Sequence, residues 1–85
     1  MGYFPASYSV ARAVTKSDTV NFDVNLNNGL CDALYVGGAG IVVAVFQNDE
    51  TAAFTCVAGQ VLPVRIKRVN STTTSATLMI ALYSI

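Results

Sequence analysis

The runs ALYVG (33–37), GIVVAVFQ (40–47), VLPVRIKRV (61–69) and ATLMIALY (76–83) decide the fold. Each is short, apolar and rich in β-branched or aromatic residues, and each is bounded by a Gly-, Asn- or Ser/Thr-rich break. Ala33 to Tyr83 reads as about five short strands, with no helical stripe between them. The expected class is all-β: a small antiparallel β-sandwich or barrel of about six to seven short strands.

Outward from these runs, Thr19 to Leu26 alternates, with Val20, Phe22, Val24 and Leu26 predicted inward and Asn21, Asp23 and Asn25 outward. Asn27-Asn28-Gly29 ends that segment, because Asn and Gly tolerate positive φ. Gly37-Gly38-Ala39-Gly40 suits a tight hairpin into Ile41–Phe46. Asn48-Asp49-Glu50 marks a turn, Thr51 to Val57 a further strand, and Ala58-Gly59-Gln60 a break. Pro63 suggests an edge strand or a bulge within 61–69. Asn70 to Ser75 reads as a polar turn before the last strand. SVARAVT (9–15) comes ahead of all this, and residues 1–9 read as an N-terminal arm on a single domain of residues 10–85.

Eighty-five residues bury only about 60–65% of their unfolded surface, which leaves a marginal core. Yet 53% of the chain is hydrophobic and only 12% charged, against about 25% in an average protein. Too few charges are present to cover a small domain's surface, so part of it is expected to be covered by another subunit. Ser, Thr and Asn are the competing means of solvating it. Net charge is zero, with no basic field to gather nucleic acid.

Candidate contact residues are the arm aromatics Tyr3, Phe4 and Tyr8, which lie outside the strand pattern, and Arg65 and Lys67. On a regular strand Arg65, Lys67 and Val69 share one face, opposite Val64, Ile66 and Arg68; a solvated or charge-defended edge is the plainer account of the cations, and salt-bridging to a neighbouring subunit the other. The arm could instead fold back over its own core.

Chemistry-bearing patterns fail one by one. Histidine is absent, so Ser, Thr or Lys nucleophiles lack a partner, and no enzymatic activity is expected. GGAG is followed by strand and is neither a phosphate loop nor a dinucleotide fingerprint. Asp23, Asn25, Asn27, Asn28 and Asp32 lack the spacing of a calcium loop. Asp49 and Glu50 are adjacent and would diverge on a strand. Cys31 and Cys56 are too few for a structural zinc site and read as reduced, small apolar residues. No cofactor or metal is expected. The start MGYFPASYSV lacks the pattern of a signal peptide, and the longest apolar run, 33–46, is broken by glycines, so no membrane span is expected.

ALYVGGAGIVVAV (33–45) and AGQVLPVRIKRVNSTTTSATLMIALY (58–83) resemble, in order, the small spike-base proteins of tailed-phage-like particles, including gene transfer agents. The N-terminal third shows no such pattern. The resemblance implies a β-rich virion structural protein on the head surface, a capsid decoration (cement) or spike-base protein. It would form a homo-oligomer, a trimer or pentamer, bind the major capsid protein and hold a spike or fibre. It would be made in the bacterial host cytoplasm. A tail or baseplate adaptor and a free ligand-binding sandwich are the alternatives; the absence of tryptophan weighs against sugar binding.

Overall fold

In a computed structural model, residues 8–84 form seven strands in two antiparallel sheets, the all-β sandwich anticipated above. The strands are β1 (Val10–Ala13), β2 (Ala33–Gly38), β3 (Gly40–Phe46), β4 (Thr51–Cys56), β5 (Gln60–Leu62), β6 (Ile66–Val69) and β7 (Thr77–Tyr83). One sheet runs β1-β7-β2-β5 and the other β4-β3-β6. Description is confined to residues 8–84 throughout.

Alternation along the strands supplies the core. Leu34 and Val36 of β2, Leu62 of β5, and Met79, Ala81 and Tyr83 of β7 join Val42 and Ala44 of β3 and Ile66 and Val69 of β6 in one buried cluster. Burying each larger side chain contributes about 1.5–3 kcal/mol, which is how so short a chain offsets its ordering entropy. Cys31 and Cys56 belong to the same cluster as free thiols, and burial pushes the Cys31 thiol up to about 11. It therefore stays protonated and behaves as an apolar filler.

Three expectations change. The first concerns Thr19–Leu26, whose regular alternation is not a strand at all. Ser17 Oγ accepts from the Val20 amide at 2.9 Å, and Asp23 Oδ1 accepts from the Asn25 amide at 2.9 Å. Such local side-chain bonds bend the backbone into turns in competition with a ladder. Phe22 and Leu26 still pack on the core, whereas Val20 and Val24 are each 67% exposed. Asn27 and Asn28 do take the expected positive φ, 53° and 59°. Val24→Ser should therefore shift the urea midpoint by the equivalent of less than about 0.5 kcal/mol. Phe22→Ala should cost about 2 kcal/mol, below the range for a fully buried phenylalanine.

The second change is at GGAG. β2 and β3 lie in different sheets, so this segment is a crossing between layers and not a hairpin. Among consecutive strands only β3 and β4 pair, through the Asn48-Asp49-Glu50 turn, where Asp49 has φ 71°.

Third, the 61–69 run is two strands. Pro63 ends β5 on the edge of one sheet, and β6 begins at Ile66 on the edge of the other. Ala44 faces Val69 while Phe46 faces Ile66, so β6 carries one residue more than β3 there. This bulge lets Ile66 and Val69, three positions apart, both enter the core. The expected faces of Arg65, Lys67 and Val69 are undone by it.

The Thr-rich segment after β6 is more than a turn. Thr74 Oγ1 accepts from the Val43 amide at 3.0 Å, and Ser75 Oγ accepts from the Ile41 amide at 2.9 Å, so hydroxyls continue the ladder beside β3. Asp18 fastens this segment, accepting from the Thr72 amide at 2.9 Å and its hydroxyl at 2.6 Å. The hydroxyl bond, then the amide bond, hold the Asp18 carboxyl below the usual carboxylate range. A depressed native pKa contributes stability above the ordinary range that disappears as pH falls through the native value. The urea midpoint should thus decline below about pH 4, and Asp18→Asn should decline less.

Candidate interaction surface

The registers place Ala11 and Ala13 of β1, Leu78, Ile80 and Leu82 of β7, Tyr35 of β2 and Val61 of β5 on the outer side of the four-stranded sheet. They form rows across the strands, Ala11–Leu82–Ala33 and Ala13–Ile80–Tyr35–Val61, in which Ala33 is buried, Tyr35, Ile80 and Leu82 are half-buried and Ala11, Ala13 and Val61 are exposed. No charged side chain falls in either row. Antiparallel sheets with one face on a core ordinarily turn polar residues outward. This one does not.

Leu78 stands out within it. It is 77% exposed, and its φ is +55°, a left-handed conformation that costs a residue with a Cβ about 1–2 kcal/mol. Gly37 opposite leaves the room: a Cβ there would lie 2.9 Å from Leu78 Cβ and 2.9 Å from its carbonyl oxygen. A large apolar side chain is thus held out in water on strained backbone. Strain and exposure together make Leu78 a cost to the monomer.

The contact residues expected from sequence scatter. Tyr3 and Phe4 lie outside the described residues. Tyr8 is half-buried, one residue before Ser9, whose amide donates to the Tyr83 carbonyl at 2.9 Å; it sits at the β1–β7 end of the four-stranded sheet. Arg65 lies in the β5–β6 connection, 68% exposed, with its guanidinium 3.3 Å from Asp32 Oδ1. Lys67 is in the β6 bulge and pairs with Asp49, and this partner holds the Asp49 carboxyl below its usual range. The structure therefore does not bring Arg65 and Lys67 onto one strand face. Sequence reasoning missed Leu78, since nothing in ATLMIALY signals its positive φ.

The oxygen-rich segment is dispersed as well. Asp23 binds the Asn25 amide, while Asp32 accepts from the Ser84 amide at 2.7 Å and from Arg65. Among the described residues no three His, Cys, Asp or Glu are placed to hold a metal ion. A cleft of about 380 Å³ opens between β1 and the 20–23 segment, where Arg12 and Asp23 share the lining with Phe22 and Tyr83. Burial raises the Tyr83 phenol above its ordinary range, so it stays neutral.

The chain is similar to a chain in the solved capsid of a native gene transfer agent particle, computed with C5 symmetry. The two share 29% identity with a TM-score of 0.78, over 89% of this chain and 83% of that one. The likeness thus extends from the fold to the sequence. No family model and no curated protein matches.

Proposed function

We propose that this chain is a virion structural protein, a β-sandwich that sits on the outer surface of a phage-type capsid as a decoration or spike-base protein. The observation that carries this reading is the capsid chain it resembles at 29% identity over 89% of its length. The apolar outer face of the four-stranded sheet supports it as the docking surface, with Leu78 as its anchor. Many copies of a weak contact on a symmetric shell act together, so each needs only modest affinity. The arm of residues 1–9 belongs to this proposal as a further contact, and the major capsid protein is the partner.

Particles lacking the chain, mixed with purified labelled protein, should carry it down on sedimentation and show added density on the capsid surface. Leu78→Asn separates docking from folding. Asparagine tolerates left-handed backbone, so thermal stability should rise slightly, by about 0.5–1 kcal/mol. Capsid binding should weaken at least fivefold. A labelled wild-type chain that remains in the supernatant at every concentration would refute the capsid reading.

A further inference from the structure

We infer that β4 is an open sheet edge through which two copies of this chain pair, antiparallel, about a two-fold axis at Ala53. The sandwich has four edge strands, β1, β5, β4 and β6. β6 carries Lys67 and Arg68 and is covered: the Ser17 amide donates to the Val69 carbonyl at 3.0 Å, and the Phe22 amide to the Lys67 carbonyl at 2.8 Å. β5 is three residues long and stops at Pro63, and β1 is four residues long and carries Arg12. Short strands, charges, bulges and prolines are the usual defences of an edge. β4, TAAFTC, has six residues and none of these.

The register fixes which groups face outward. The Phe46 amide donates to the Glu50 carbonyl at 2.8 Å, so hydrogen-bonded pairs with β3 fall at Glu50, Ala52, Phe54 and Cys56. Thr51, Ala53 and Thr55 therefore turn their amide N–H and carbonyl groups away from β3. Their side chains are exposed on the outer side. A second copy of β4, turned about a two-fold axis at Ala53, brings its own outward groups into register with this edge. Antiparallel about Ala53, Thr51 faces Thr55 of the second copy, Ala53 faces Ala53, and about six backbone hydrogen bonds form. Thr–Thr is a favourable cross-strand pair, and alanine at the axis lets the strands close. On the inner side Phe54 meets Ala52 of the second copy, extending the Phe46–Phe54 ring contact, whose centroids are 6.5 Å apart. A strand of about 20 Å gives a contact at the small end of specific interfaces, so the expected dimer is weak. This pairing stands whether or not the chain binds a capsid, and its test uses only the purified chain.

Sedimentation equilibrium from micromolar to millimolar concentration should show a reversible dimer, and the Ala53 amide should exchange with deuterium more slowly as concentration rises. T51K/T55K places like charges opposite each other twice and should weaken the dimer at least tenfold; T51K/T55E places opposite charges there and should restore it. Ala53→Pro removes no bond to β3, because that amide points outward, and should leave a folded monomer. A wild-type chain that is monomeric at millimolar concentration, T51K/T55K that dimerises as well as wild type, or T51K/T55E as weak as T51K/T55K would each overturn the proposal.

Discussion

Gly40→Ala should destabilise the sandwich by more than about 3 kcal/mol, adding the cost of strained backbone to that of overpacking. Gly40 has φ +154°, a region that L side chains rarely adopt, and a Cβ there would lie 2.6 Å from the Ala76 amide nitrogen and 2.8 Å from Ser75 Oγ. Those atoms cannot retreat freely. The Ser75 and Ala76 amides both donate to the Ile41 carbonyl, at 2.9 and 3.1 Å, and Ser75 Oγ accepts from the Ile41 amide. Relief of the clash would break the bonds that carry the chain from one sheet to the other. Gly59→Ala is the control: its φ is +82°, but nothing lies within 4 Å of the added methyl. Only the backbone term remains there, about 1–2 kcal/mol. Urea melts of the two variants measure the difference, and equal losses would mean that the close approach of Ser75 and Ala76 is not what requires Gly40.

Ile80→Asp should abolish capsid binding, weakening it at least about 100-fold, or about 2.7 kcal/mol, while leaving a folded chain. Ile80 lies mid-row on the outer face, between Ala13 and Tyr35. Ile80 is half-buried, so the substitution also gives up part of its apolar contact and costs the monomer about 1–2 kcal/mol, which a thermal melt measures separately. Pressed against an apolar partner surface, the new carboxylate would be desolvated without compensation. Gln47→Asp, in the exposed β3–β4 turn, adds the same charge away from that face and should bind as wild type. Co-sedimentation with particles reads both. Undiminished binding by folded Ile80→Asp would move the docking surface elsewhere.

How much of this was legible follows from which interactions are local. The strand runs were readable because Val, Ile, Leu and aromatic residues at short spacing between Gly and Asn breaks reflect a local preference. Sheet membership was not. A glycine-rich break looks the same whether the chain reverses beside itself, as at a hairpin, or crosses to the other layer, as at Gly37–Gly40. The alternation of Val20, Phe22, Val24 and Leu26 misled for a related reason. Ser17 and Asp23 capture neighbouring amides, and that chemistry overrides the pattern. The bulge at Lys67 shifted the periodicity of 66–69 by one residue, which no composition argument could see. Of the candidate surface, its apolar character was visible as a deficit of charge; its place on the sheet and the strained Leu78 depend on pairing between distant residues.

The last strand in chain order, β7, lies inside its sheet between β1 and β2. β1 has no other neighbour there, so the first strand waits unsatisfied until the seventh arrives. Until β7 is made the four-stranded sheet exists only as the β2–β5 pair, and loop closure over such separations is slow. A nascent or prematurely terminated product would consequently have no stable platform for assembly, which restricts entry into any larger structure to finished molecules.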